Sequence, residues 1–299
     1  MGNGAQNILG RLGVWTLCDT LSMSDLTAMV RQLEAWGYGA LWLPETVGRD
    51  PLVTIASLAC HTQRLAFATG ITNIYARDAV TMKAIHRTLS ELLPGRFVLG
   101  LGVSHEHLVT KLRGHAYRPP LAAMSEYLDA FDAALYRGPE PEHVAPVVLA
   151  GLRAPMLRLA ARRAQGAHPY LVTAEHTRRA RAVLGPQSWL CPEQMVLGES
   201  VPDKARALGR LYLKPYLRLP NYQRNLRDFG FSDDDFAAGG SDRVIDALIA
   251  WGEPSKLRDH IDAHFAAGAD HVCIQPLRPD GSLGPDLELL AQLAPAGSA

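Results

Sequence analysis

The residues that could do chemistry are few, and most follow short apolar runs. His105-Glu106-His107 is an H-x-H pair directly after FVLGLGVS. Such a pair suits three roles: two imidazoles of a metal site, solvated loop histidines, or a contact to substrate or cofactor. Glu45 follows ALWLP. A carboxyl group at the rim of an apolar mouth can titrate high and serve as an acid or a hydrogen-bond anchor. It can equally be a structural carboxylate pairing a neighbour such as Arg49. Arg153 stands just before Pro155 at the start of a helical segment. Free N–H groups, helix dipole and guanidinium together make a phosphate seat there. Thr173 to His176 is a second such seat, with Thr173 as N-cap and Glu175 awkwardly placed for an anion. Ordinary capping accounts for both patterns as well.

GLGVSH (Gly100 to His105) looks like the start of a dinucleotide loop, but it lacks the third glycine and opens no helix. It reads better as a strand end where Gly102, Val103 and Ser104 let a flat ligand approach the backbone. No G-x-S-x-G, P-loop or H-E-x-x-H occurs. Serine-hydrolase, phosphate-loop and zincin chemistries therefore drop out.

The elements that must position these groups alternate. Leu12–Leu17 reads as a first strand. Ser24 caps a helix with Leu26, Met29, Val30 and Leu33 on one face, and Gly37 ends it. Strands follow at 40–43, 65–71, 97–103, 147–150, 168–172, 195–198 and 271–275. Helices lie between them, including one with the stripe Met82, Ile85, Leu89 and Leu92, and others opened by Pro51, Pro155, Ser241 and Pro254. Eight β-then-α units in one 299-residue domain predict a closed parallel (β/α)8 barrel, a TIM barrel, with an extended insertion between strands seven and eight. An open doubly wound sheet would need glycines in its first turn, and Cys18 to Met23 has none. In a barrel the chemistry sits at the carboxyl ends of the strands. H-x-H metal sites in barrels favour strand one with further ligands at other strand ends. Here the pair follows strand four, and His271 lies at the opposite face, so no metal ligands are assigned. The 208–240 stretch is long for one connection and reads as a lid or a decorated loop.

Thirty basic residues balance thirty acidic ones, so nothing attracts a polyanion and nucleic-acid binding is disfavoured. Hydrophobic residues make up 47% of the chain, too many for a disordered one. Cys18, Cys60, Cys191 and Cys273 form no C-x-x-C and read as free thiols. No basic, apolar leader opens the chain, and no apolar run approaches the roughly 18 residues of a membrane span. A soluble, cytoplasmic enzyme is expected, with no membrane partner.

ALWLPETVGRDP, LAFATGITNIYARDAVTMKAIHRTLSELLPGRFVLGLGVSH, GLRAPMLRLAARRAQGAHPYLVTAEHTRRAR and GADHVCIQPL resemble the bacterial luciferase-like superfamily, and within it the coenzyme F420-dependent oxidoreductases. The likeness runs from about Leu12 to Leu277. It implies a homodimeric barrel that binds a deazaflavin at its mouth and transfers a hydride between C5 and a small organic substrate. It also implies a non-prolyl cis peptide at Gly70-Ile71 against the ring, with Thr72 and Asn73 facing the ring. Phosphate contacts would come from Gly151, Arg153, Thr173, Ala174 and His176. Family members carry an acid followed by His after strand two, where this chain has Glu45-Thr46, and Glu after the strand-four glycines, where it has His105. The proton donor is thus Glu45 or His105: Glu45 with a dry side that favours its neutral, donating form, His105 as the better shuttle. FMN is the alternative cofactor, in a monooxygenase using O2. A metal-dependent barrel hydrolase using His105 and His107 and a non-enzymatic flavin-binding protein are the remaining alternatives.

Overall fold

The structure, a computed structural model, describes residues 4–295. Its strands are β1 (Leu12–Trp15), β2 (Ala40–Leu43), β3 (Ala66–Thr69), β4 (Thr72–Asn73), β5 (Phe97–Gly102), β6 (Val147–Leu149), β7 (Gly166–Ala167), β8 (Trp189–Leu190), β9 (Glu193–Leu197), β10 (Ile249–Trp251) and β11 (Val272–Leu277). The order is β10-β9-β11-β1-β2-β3-β5-β6-β7-β8, with β4 beside β5, and every pairing is parallel. Only Cys191-Pro192 separates β8 from β9. On one side of this segment Cys191 N donates to Ala167 O and Glu193 N to Pro169 O. On the other, Asp270 N donates to Leu190 O and Cys273 N to Pro192 O. One continuous stave, 189–197, therefore joins both ends of the sheet and curls it into the expected barrel.

Strand alternation divides the core in two. Trp15, Ala40, Trp42, Ala66, Ala68, Val98, Val148, Cys191 and Cys273 fill the interior. Val14, Leu41, Phe67, Leu99, Leu149 and Ile274 face the surrounding helices. Large and small residues interlock inside. Trp42 stacks on His168 at 4.4 Å and its indole N–H lies 3.0 Å from His271 Nε2. A Cβ on Gly13 would stand 2.7 Å from the His271 ring, so only glycine fits that point.

Local chemistry sets the helix ends. Asp50, Asp78, Thr173, Ser241 and Asp286 cap their helices through side-chain oxygens. The first long helix, Met23–Ala35, starts two residues earlier than Ser24 as its cap would allow. Ser22 is its cap, in a reciprocal capping box with Asp25. In the Ala79–Leu92 helix, His86 and Ser90 take inward positions beside Met82 and Leu89, while Leu92 is 50% exposed in the last turn. The expected sixth strand at 168–172 is not a strand; the ladder residues are Gly166–Ala167, just before it. Pro169 has no N–H to give, and Leu171 adopts a left-handed φ of 59° that ends the ladder. Strand β10 fills the place so vacated beside β9, with Ile249 opposite Met195.

Between β9 and β11 the chain forms helices Pro202–Leu213, Pro220–Arg227, Asp233–Phe236, Asp242–Leu248 and Pro254–Ala266. The 208–240 stretch is thus folded, and it has its own apolar cluster. Leu213, Leu217, Tyr222, Leu226 and Phe231 pack there with Val244 and Ile245.

Candidate functional site

At the carboxyl end of β3 the chain bulges. The Gly70–Ile71 peptide is cis. Trp15 Nε1 donates to Gly70 O at 3.0 Å, and Glu45 N to Ile71 O at 3.1 Å. The hydroxyls of Thr69 and Thr72 both donate to Gly100 O, at 2.9 and 2.7 Å. Thr72 is therefore fully buried in holding the bulge and does not face the mouth. The Asn73 carboxamide oxygen accepts from Tyr75 N, which caps the turn that follows. Ile71 lies where a side chain on Gly102 would go, since a Cβ there would stand 2.4 Å from Ile71 Cδ1 and 3.2 Å from Ala150 Cβ. Ile71, Gly102 and Ala150 thus form one smooth apolar wall. Val103 continues it, and Ser104, at φ 56°, turns the chain away.

Glu45 is nearly buried, its side chain 6% exposed, and both its oxygens accept hydrogen bonds. Oε2 takes Asn73 N–H at 2.7 Å, and Oε1 takes Arg77 at 2.8 Å with Arg113 at 3.7 Å. Arg49, the partner suggested by sequence, donates instead to Leu21 O at 2.6 Å. The geometry makes Glu45 an acceptor that fixes the bulge to two arginines, not the free donor expected from its apolar neighbours. An open basin of about 500 Å³ lies over it, lined also by Arg49, Asp50, Arg77 and Arg113.

His105 stands between His107, at 6.1 Å, and Tyr222, at 5.5 Å between ring centres. Burial, with a smaller contribution from His107, pushes its pKa down to about 4. It is a neutral base at pH 7. His107 is exposed. Among the described residues, no group of three or more His, Cys, Asp and Glu side chains could hold a metal ion.

Two helix N-termini meet beside the mouth. Arg153, exposed and extended, precedes Ala154–Arg163, and Gly151 is buried behind it. Thr173 caps Ala174–Leu184 by accepting His176 N–H at 3.2 Å. The His176 imidazole reaches Leu152 O at 2.6 Å and ties the two loops together, leaving Nδ1 buried without a partner. Burial holds this histidine neutral, with its pKa down to about 4. Glu175 pairs with Arg178 and Arg179, which removes the objection its charge raised against an anion.

One acid escaped the sequence reading. Glu193 points into the barrel, fully buried, with Oε2 accepting Leu171 N–H at 3.1 Å and Oε1 unpartnered. Burial pushes its pKa up to about 8, so it is protonated at neutral pH. Above it the Tyr170 hydroxyl lies 2.9 Å from Gln275 Oε1 and 3.0 Å from the Tyr216 hydroxyl, and Tyr222 packs on both tyrosine rings. A lone carboxylate two residues before Met195 on an alternating strand was the available signal. The strand was read as starting at Met195, which left Glu193 outside it.

The model of the family described as luciferase-like monooxygenase matches residues 7–184, well over half of the chain. The chain belongs to the luciferase-like monooxygenase family. A Mycobacterium tuberculosis protein provisionally named a coenzyme F420-dependent oxidoreductase is 30% identical over 119 residues, 40% of this chain and 33% of that protein. The matched stretch spans about a third of the length of the curated relatives. An F420-dependent secondary alcohol dehydrogenase, solved with an F420–acetone adduct, superposes with a TM-score of 0.75 at 12% identity, covering 98% of this chain and 97% of that one. The oxygenating component of 3,6-diketocamphane monooxygenase from Pseudomonas putida, solved with FMN, superposes with a TM-score of 0.69 at 16% identity, covering 96% and 98%. Likeness at these identities shows the luciferase-like fold. Among the described residues, no helix is long and apolar enough to cross a membrane.

Proposed function

We propose that this luciferase-like protein is a coenzyme F420-dependent oxidoreductase acting on a small organic substrate. The observation that carries the reading is the smooth wall of Ile71, Gly102 and Ala150 beside two tethered helix N-termini. A flat ring would lie on this wall, where Ile71 packs over Gly102 and beside Ala150. A phosphate fits the N-termini, where Ala174 and Glu175 N–H groups and Arg153 would hold it, with the buried His176 tying the two loops together. The names of the curated relatives add support for F420. When bound, the deazaflavin supplies a hydride carrier at C5.

The chain's own groups then position and exchange protons. Glu45 ties Asn73 and Arg77 together and holds the bulge in shape. His105, neutral at pH 7, is placed to take a proton from a substrate hydroxyl or to accept its hydrogen bond. Trp15, through Gly70 O, fixes the inner edge of the bulge. The test is a titration of the purified protein into F420 and, separately, into FMN, followed by cofactor fluorescence. Saturable quenching of F420 with weaker binding of FMN is expected. Tight FMN binding with no F420 response would move the protein to the flavin monooxygenases.

A further inference from the structure

A cavity of about 150 Å³ opens at the carboxyl ends of β1, β9 and β11, apart from the wall at Ile71. Leu17, Met195, Leu211, Leu277 and Leu283 give it apolar sides. No Lys, Arg, Asp, Glu or His lines it. An apolar cavity of that volume holds one six-membered carbon ring. Its polar groups are few, and some are already engaged. Tyr212 donates to the carbonyls of Arg278 and Ser282, and Thr16 to that of Leu17. Gln275 Oε1 is held by the Tyr170 hydroxyl, which orients the carboxamide and leaves its NH2 as a donor. The Tyr170 proton goes to Gln275 Oε1, so the Tyr216 hydroxyl on the wall donates to Tyr170 at 3.0 Å and offers a ligand no proton.

The cavity and the proposed ring site share one chain of packed side chains. Trp15 bonds Gly70 O and packs at 4.9 Å on Tyr170, whose hydroxyl meets both Tyr216 and Gln275. Two aromatic rings thus separate the bulge from the cavity. That spacing suits the non-reacting end of a substrate whose reactive bond lies by the bulge. Glu193 lies one residue pair deeper, since Cys273 is opposite Glu193 and Gln275 opposite Met195. Protonated at neutral pH, it adds no charge beneath the floor.

We propose that this cavity is a specificity subsite that takes an uncharged, ring-sized end of the substrate carrying one acceptor oxygen, held by the Gln275 carboxamide NH2. The inference rests on the oxidoreductase reading for the word substrate, and on the cavity alone for the ligand's chemistry. Phosphorylated and carboxylate-ended compounds are excluded, because a buried anion without a partner is strongly disfavoured.

The test uses full-length protein labelled with 13C at its methionine methyls, with and without F420, and cyclohexanone as probe. The Met195 signal is assigned by its loss in Met195→Leu. Cyclohexanone should shift it saturably. Cyclohexanecarboxylate should bind at least tenfold more weakly. Leu283→Trp, at a 58% exposed position on the rim, should weaken cyclohexanone at least tenfold by filling the space. Gln275→Leu should weaken it about tenfold, the loss expected for one hydrogen bond. Equal binding of the carboxylate, or an unchanged Leu283→Trp, would overturn the subsite. If F420 fluorescence is quenched and cyclohexanone leaves Met195 unmoved, the subsite is wrong and the cofactor reading stands. If cyclohexanone binds and F420 does not, the cavity chemistry is upheld and the oxidoreductase reading fails.

Discussion

Glu193→Gln should reverse its effect on stability with pH. The native carboxyl is pushed from 4.5 up to about 8 by burial, so between those values the folded chain holds a proton that the unfolded chain has lost. Stability must then fall as pH rises through that window, by roughly 1.4 kcal/mol per unit. The total is roughly 5 kcal/mol by pH 8 and above, and nothing below pH 4.5. Glutamine keeps an oxygen for Leu171 N–H and does not titrate, but its NH2 must fill the place of the unpartnered Oε1. That costs about 1–3 kcal/mol at any pH. The variant should therefore be the less stable protein near pH 5 and the more stable one near pH 9. Urea unfolding of both proteins at half-unit steps from pH 5 to 9 measures the difference, in which the other titrating groups cancel. A difference that stays flat with pH would mean that Glu193 is ionised in the fold and has a partner, and the argument from burial would be refuted.

Other consequences follow from the same geometry. His86, His168, His176, His264 and His271 are all buried and held down to about 4, so the folded chain binds fewer protons than the unfolded one below pH 6.5. Each removes roughly 3 kcal/mol as pH falls through its window, and circular dichroism should show cooperative acid unfolding between pH 6.5 and 4. Gly102→Ala forces Ile71 from the wall, at about 1–3 kcal/mol, and calorimetric titration should show F420 affinity reduced about tenfold or more. Arg153→Ala should weaken F420 binding by about 1.5–3 kcal/mol at low salt, while unchanged affinity would leave Arg153 a capping-region residue only.

The barrel was legible because its physics is local. Gly37 and Gly268 adopt the left-handed φ that ends a helix before a strand, and apolar runs such as ALWL and FVLGLG can only be buried strands. Pro51 and Thr173 marked helix starts for reasons contained in a single residue. Features that depend on distant partners were harder to read. HPYLV looks like a strand because it is apolar and buried, but Pro169 and the left-handed Leu171 take it out of the ladder. IAW at 249–251, between the helices opened by Ser241 and Pro254, is a strand because β9 has a free edge there. At the site, sequence located Glu45 and His105 but not the partners that hold them. The Arg77 and Asn73 contacts of one, and the Tyr222 lid over the other, come from 28 or more residues away. Glu193 was missed because its meaning lies in the alternation of a strand whose start was read two residues late.

The most direct measurement is a crystal structure of the protein grown with F420. The account predicts the ring against Ile71, Gly102 and Ala150, with the phosphate at the N-termini of Ala154–Arg163 and Ala174–Leu184 near Arg153. A ring bound elsewhere, or a phosphate seated in the open basin between Arg77 and Arg113, would contradict it.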